Sequence, residues 1–185
     1  MTSVVEAVPM ATASPQKRTN LGGIDRAWQG FEAAIEALDL SELHPQIRIG
    51  HALLWTNVLN DAFYRAGAGD YESARENHPG GQTVWGMVFA FNALKHGAAL
   101  CYDINGEQTA LGSIAGHWIW ITDADPLVET LDRIPRRGQV PAYRDHIAGR
   151  RLSEPFVLAA RWFDEAASRW KELAAFLPDD SAGGS

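Results

Sequence analysis

Asn92 and His96 are the residues whose type and spacing come closest to a chemical site. They lie four residues apart in the segment FNALKH, 91–96. Residues at this spacing share one face of an α-helix, here with Trp85 and Phe89. Burying an amide and an imidazole on an otherwise apolar helix costs free energy unless both have hydrogen-bond partners. The pair is therefore either a satisfied polar pair inside a bundle or a histidine general acid–base held by an amide.

A second candidate is the concentration of arginine in the section 133–151. Guanidinium groups bind phosphate through paired hydrogen bonds. Most such clusters are instead solvated faces or ion-pair partners, and the formal charge of −7 argues against a generally basic surface. The candidate nucleic-acid-binding residues in this section are Arg136, Arg137, Arg144, Arg150 and Arg151.

The usual signatures of metal and nucleotide sites are absent from the sequence. The six histidines are scattered and neither HExxH nor CxxC occurs, so we expect no metal site. Neither GxxxxGKS/T nor GxGxxG occurs, and we expect no cofactor. The pair Gly80-Gly81 precedes a predicted helix, but such a pair is more often a turn than a phosphate-binding loop. Cys101 has no neighbouring histidine in the sequence to activate it.

The same composition bears on cellular location. A single cysteine excludes an internal disulfide. The first residues lack the basic region of a secretion signal, and no stretch approaches the roughly 20 apolar residues of a membrane span. We therefore expect a cytoplasmic protein that does not associate with a membrane.

Helical periodicity dominates the elements that must position these residues. Apolar residues recur at spacings of three and four in 24–38, 46–66, 82–100 and a segment that begins near Ser153. The sequence thus predicts an all-α fold, an up-and-down bundle of four main helices. The third helix is apolar nearly all round, which is typical of a central helix. Gly67 is expected to end the second helix. The Pro79-Gly80-Gly81 turn is expected to precede the third.

The section 102–138 is expected to be an irregular insertion with room for a short β-hairpin. Its residues 117–122, HWIWIT, are aromatic and β-branched, as strands often are. A short helix is predicted at 143–149, before the last main helix. We expect one helical domain over 21–177, with flexible tails at 1–20 and 178–185, because both ends are small and polar.

Several segments resemble uncharacterised helical proteins of actinobacteria and their phages. They are 53–61, then Tyr71, Arg75 and the Gly80-Gly81 turn, then GMVFAFNALKH, and finally 143–150. Those proteins in turn resemble the HEPN superfamily, helical bundles that often act as metal-independent ribonucleases. The HEPN motif is an arginine, usually followed by a polar residue, with a histidine four to six residues after the arginine. The resemblance implies a dimer in which two motifs face one cleft, with the histidine assisting attack by the RNA 2′-hydroxyl.

This chain departs from that motif at one position. Asn92 and His96 match the polar residue and the histidine, whereas the arginine position is Phe91. A phenylalanine cannot neutralise a phosphate, and losing such a cation costs orders of magnitude in rate by analogy with an oxyanion donor. Lys95 or Arg48 is a conceivable substitute.

Three functions stay open at this point. The first is a HEPN-like domain that binds a protein or RNA without cutting, as a homodimer or with a protein partner. The second is an active metal-independent ribonuclease of toxin or phage-defence type, with His96, Asn92 and Lys95 as its catalytic residues. The third is a structural or accessory phage protein whose bundle packs into an assembly.

Overall fold

The computed structural model describes residues 21–40, 43–103, 118–131 and 134–175. The predicted tails at 1–20 and 178–185 lie outside these residues. In chain order the elements are α1 (Leu21–Leu40), α2 (Pro45–Glu76), α3 (Pro79–Lys95), β1 (Cys101–Asp103), β2 (Trp118–Trp120), α4 (Asp125–Glu129), α5 (Gln139–His146) and α6 (Glu154–Ala175). The fold is all-α with one small antiparallel sheet, as the periodicity predicted.

The four main helices are α1, α2, α3 and α6, and α3 is the central one. It packs against α2, α5 and α6, whereas α1 packs against α2. Three buried phenylalanines join the outer helices: the Phe163 ring of α6 lies 5.3 Å from that of Phe31 and 5.7 Å from that of Phe63, centroid to centroid. The predicted inner stripe of the first helix is confirmed, with Ile24, Phe31 and Leu38 buried.

The predicted end of the second helix was wrong, since α2 continues through Gly67 and Gly69 to Glu76. A glycine inside a helix costs up to about 1 kcal/mol relative to alanine. Continuation buries Tyr71 completely, with its ring 5.9 Å from Phe63 and 5.8 Å from Trp162. Burial of one large aromatic outweighs the glycine cost, which is why these glycines do not end the helix.

The Pro79-Gly80-Gly81 segment is a helix start and not a separate turn. Pro79 occupies the first turn of α3, where its missing N–H is harmless, and the Nδ1 atom of the preceding His78 accepts a hydrogen bond from the Gly80 N–H at 3.1 Å. A Cβ at Gly81 would lie 2.4 Å from the carbonyl oxygen of Arg75. Glycine at this position therefore lets α3 begin directly against the end of α2.

The third helix ends earlier than predicted. His96 is its C-terminal cap, and Gly97 follows with φ of 90°, a left-handed conformation that glycine adopts readily. Leu100 is thus outside the helix. Leu100 is buried and directly precedes β1.

The predicted hairpin is present in part of the irregular section. Strands β1 and β2 pair antiparallel, with Cys101 opposite Trp120 and Asp103 opposite Trp118. Of the predicted strand residues, His117 lies outside the described part of the chain. Two buried side chains fix β2 on the bundle: Trp120 donates its Nε1–H to the Leu152 carbonyl at 3.2 Å, and the Tyr143 hydroxyl donates to the Ile121 carbonyl at 2.8 Å.

Candidate functional site

A polar pocket of about 580 Å³ lies between α2, α3 and the residues Leu131 and 134–139. We call it the α2–α3 pocket. Pockets of about 300–1,000 Å³ are the usual size for small-molecule sites. Most side chains that line it are polar or charged, which is unusual for a helical bundle and makes it the best candidate for function among the described residues.

The α3 wall of this pocket carries all three predicted catalytic residues: Asn92, Lys95 and His96. The wall begins with Trp85 and Val88, and spacings of three and four keep these side chains on one face. Lys95 and His96 are exposed, and Asn92 is half-buried. His96 is thus accessible at the end of the helix and is not enclosed in the core.

The neighbouring aromatic residues of α3 point elsewhere. Phe89 is fully buried, with its ring 5.5 Å from that of Tyr143 in an edge-to-face contact. Phe91 is half-buried and is not among the lining residues, and the Lys95 ammonium lies 5.0 Å from the centre of its ring. Of the residues expected to share the face of Asn92 and His96, Trp85 does and Phe89 does not.

The α2 wall supplies amides, carboxylates and one buried cation. Asn57, Asp61 and Tyr64 lie at spacings of three and four along α2 and all line the pocket. Asn60, on the same helix, accepts hydrogen bonds at its Oδ1 atom from the Tyr71 hydroxyl at 3.1 Å and from Arg75 Nη1 at 3.2 Å. The two asparagines and Asp61 give this wall several hydrogen-bond acceptors.

Arg75 also lines the pocket, and its side chain is 3% exposed. Its guanidinium carbon lies 3.9 Å from the centre of the Trp85 ring, a close cation–π contact. The Oε1 atom of Glu72 is 3.7 Å from Nη2, whereas Nε has no hydrogen-bond partner. Burial lowers the pKa of Arg75 and the nearby Tyr71 and Glu72 partly offset this, but arginine still remains protonated at neutral pH.

The section 134–139, together with Leu131, forms the third side of the pocket. The Trp85 Nε1–H donates to the Arg137 carbonyl at 3.2 Å, and the Arg136 N–H donates to the Oε1 atom of Gln139 at 2.9 Å. The Trp85 hydrogen bond holds this section against α3, whereas the bond to the buried Gln139 is internal to the section. The Arg136 side chain is exposed and lines the pocket, as does Ile134, which is 95% exposed.

The pocket differs in charge from the chain as a whole. Three cations line it, Arg75, Lys95 and Arg136, against two carboxylates, Asp61 and Glu72. The whole chain carries a formal charge of −7. A local excess of positive charge in a strongly acidic protein favours an anionic ligand at this place.

The predicted arginine cluster is divided by the fold. Arg136 lines the pocket with Lys95 and His96, whereas the other four are not among its lining residues. Arg144 forms an ion pair with Asp125. Arg150 and Arg151 lie beside the small sheet, where the Arg150 carbonyl accepts from the Trp120 N–H at 3.0 Å and Arg151 pairs with Ile119 in an isolated β-bridge. The cluster therefore brings one side chain to the candidate site.

Arg48 does not substitute for the missing motif arginine. It is 3% exposed and donates from Nη1 to the Leu38 carbonyl, which ties α2 to the end of α1. Lys95, the other predicted substitute, does line the pocket.

Other chemistry is not indicated elsewhere in the described residues. Burial raises the pKa of Cys101 to about 12, so this buried thiol is protonated at neutral pH and is a poor nucleophile. Within the described ranges no three His, Cys, Asp or Glu side chains are grouped so as to hold a metal ion. In the same ranges no helix is both long and apolar enough to cross a membrane.

Arg75 was missed as a site residue because α2 was predicted to end at Gly67. A signal was present: Tyr71 and Arg75 are four residues apart, and such a spacing continues a helical face beyond the glycines. Asn57 and Asp61 lie inside the predicted helix 46–66 and were missed because nothing in the sequence shows that their face meets α3. No protein-family model, curated protein or solved structure matches this chain. The pocket's own geometry therefore carries the functional argument.

Proposed function

We propose that this chain is a HEPN-like helical domain that binds RNA without cutting it, and that the α2–α3 pocket is its binding site. The observation that carries the proposal is the convergence of Lys95, His96 and Arg136 on one pocket. Phosphate contacts from lysine and arginine provide most of the affinity of proteins for nucleic acids. The charge that Phe91 cannot supply is thus available from other positions.

Binding fits this arrangement better than cleavage does. Cleavage requires a cation held in a fixed position where charge develops in the transition state. Lys95 and Arg136 are instead exposed on the rim of the pocket. Exposed, long side chains can attract a phosphate in many orientations, which suits binding but supplies little preorganisation.

The test is fluorescence anisotropy of a labelled single-stranded RNA against the wild-type chain and a Lys95→Ala/Arg136→Ala double variant. Losing two charge-assisted contacts, at about 1.5–3 kcal/mol each, should weaken binding by about a hundredfold or more. The control is Arg161→Ala, an exposed arginine on α6 outside the pocket, which should bind as the wild type does. Equal affinity of all three proteins would remove the pocket from the proposal.

An active ribonuclease is the second candidate, and the exposure of His96 favours it. An accessible imidazole shares the pocket with Lys95 and Arg136, the minimum set for acid–base chemistry beside a phosphate. Incubation of the same RNA with wild-type and His96→Ala protein, without added metal, separates the two candidates. Cutting that disappears with His96 would establish the enzyme. RNA that stays intact with both proteins supports binding alone.

A homodimer belongs to the same proposal because the HEPN resemblance implies one. Three exposed apolar residues of α2, Ile47, Leu54 and Val58, are spaced by seven and four and so form one stripe. The stripe lies on the face next to Asn57 and Asp61, so pairing of two copies there would bring two pockets close together. Size-exclusion chromatography with light scattering should give twice the chain mass, and Leu54→Glu should give a monomer. A larger assembly would favour a structural or accessory phage protein.

A further inference from the structure

We infer that the α2–α3 pocket recognises a terminal phosphate monoester, at the end of an RNA strand or on a free nucleotide, in preference to an internal phosphodiester. The inference rests on the proposed binding of phosphate in this pocket. It further specifies that the terminal phosphate is the recognised part of the ligand. Arg75 is the residue that distinguishes it from an internal phosphodiester.

The hydrogen bonds of the Arg75 guanidinium are incomplete, which favours an anionic ligand beside it. Its side chain is 3% exposed, yet Nε has no hydrogen-bond partner and the Glu72 carboxylate is 3.7 Å from Nη2. A buried guanidinium with an unused N–H is costly, because the lost hydration is not replaced. An anion in the pocket would restore that interaction. The Asn60 and Trp85 contacts fix the guanidinium plane but carry no negative charge, and the half-exposed Glu72 is its ion-pair partner at 3.7 Å.

The number of cations in the pocket matches the number of oxygens that a phosphate monoester offers. A phosphate monoester carries a charge near −2 at neutral pH and three strong acceptor oxygens. Arg75, Lys95 and Arg136 supply three cations, each from a different wall of the pocket. An internal phosphodiester offers a single charge and two free oxygens, so it can satisfy only part of this set.

The shape of the pocket also favours a terminal phosphate. The pocket is lined by residues of α2 and α3, by Leu131 and by the section 134–139, and the Arg75 side chain in it is 3% exposed. An internal phosphate would have to enter with a nucleotide on each side, whereas a terminal one enters with a single nucleotide behind it. That nucleotide would lie against the α2 wall, where Tyr64 is 45% exposed and available for stacking on a base.

The exposure of each side chain in the pocket predicts the order in which a phosphate would contact them. Lys95, His96 and Arg136 are accessible and would meet the phosphate first. The Nε atom of Arg75 is buried. It would be reached after a small shift of the neighbouring side chains, with its charge acting on the phosphate before that contact forms.

The experiment compares one labelled single-stranded RNA in three forms: with a 5′-phosphate, with a 3′-phosphate and with hydroxyls at both ends. Each is titrated with wild type, Arg75→Gln, Arg75→Lys, Arg136→Gln and the control Arg161→Ala. Inorganic phosphate, adenosine 5′-monophosphate and adenosine are then added as competitors. Circular dichroism and Tm show which variants are folded. Arg136→Gln, at an exposed position, keeps the test valid if Arg75→Gln does not fold.

We expect at least one phosphorylated end to bind tenfold or more tightly than the hydroxyl-ended strand. Adenosine 5′-monophosphate should displace it and adenosine should not. Arg136→Gln should reduce the preference for the phosphorylated end, and folded Arg75→Gln should abolish it, while Arg75→Lys retains part of it and Arg161→Ala all of it.

Equal binding of all three RNAs would overturn the inference and leave the proposed RNA binding intact. A preference left unchanged by Arg136→Gln, or by folded Arg75→Gln, would also overturn it. If no RNA binds but inorganic phosphate or the nucleotide raises the Tm, the phosphate site stands and RNA binding falls. If none of them binds or raises the Tm, both proposals fall.

Discussion

The two ends of α3 differ in burial and in the polarity of their side chains. From Gly80 to Ala90 the helix is almost entirely buried against α2, α5 and α6. From Asn92 to His96 it opens onto the α2–α3 pocket with an amide, an ammonium and an imidazole. One continuous helix thus serves as the centre of the core at its start and as a wall of the candidate site at its end. Substitutions at the start should change stability, and those at the end should change binding.

The largest effect is expected for Phe89→Ala. Phe89 is fully buried and packs edge-to-face on Tyr143, and removing a buried phenylalanine costs about 3–5 kcal/mol of unfolding free energy. Urea denaturation followed by circular dichroism measures it. Val157→Ala, at a residue 46% exposed on α6, is the control and should cost less than about 1 kcal/mol. Equal costs for the two variants would contradict the assignment of the α3 start to the core.

A smaller loss is expected for Gly86→Ala. A Cβ there would lie 2.8 Å from the backbone nitrogen of Tyr143 and 2.9 Å from its Cα. Backbone cannot move aside as a flexible side chain does, so we expect a loss of about 1–3 kcal/mol in unfolding free energy.

The matched control is Gly69→Ala, inside α2 with nothing within 4 Å of an added Cβ. It should raise stability by about 0.5–1 kcal/mol, because alanine favours the helix. Denaturation curves of the two variants should thus shift in opposite directions. A Gly86→Ala protein as stable as the wild type would mean that α3 and α5 are less closely packed than described.

The smallest effects on stability are expected for Lys95→Ala and His96→Ala at the other end of the helix. Both side chains are exposed, and the contact of Lys95 with Phe91 is worth about 0.5–1 kcal/mol at an exposed site. Each variant should therefore unfold within about 1 kcal/mol of the wild type. In the anisotropy experiment the same variants should bind RNA more weakly. A large loss of stability with unchanged binding would reverse the contrast between the two ends.

The sequence predicted the central position and the polar face of α3 better than it predicted the pocket that this face lines. The apolar character of 84–91 placed α3 at the centre of the bundle, and the Asn92–His96 spacing placed two polar side chains on one face. Both inferences rest on helical periodicity within a single segment, which is local information. The inner stripe of α1 and the start of α6 near Ser153 were predictable for the same reason.

The pocket could not be assembled from the sequence because its other walls are distant in the chain. Arg75 follows two glycines that locally favour a helix end, and only the burial of Tyr71 against α6 explains why α2 continues. Arg136 is one of six arginines with similar sequence neighbours in the section 133–151. No local feature of the sequence shows that it, and not the others, lines the pocket beside α3. Side-chain partners from different helices are set by tertiary packing, which overrides local propensity.

The connection between α2 and α3 has a consequence for how fast a ligand is captured. Only Asn77 and His78 separate the two helices, His78 stacks 5.0 Å from the Trp162 ring, and its Nε2 lies 3.3 Å from a Glu165 oxygen. So short a connection holds the α2 and α3 walls of the pocket together. These two walls are therefore preformed, and we expect association to follow a single exponential whose rate rises linearly with ligand concentration, without a plateau set by closure of α2 on α3.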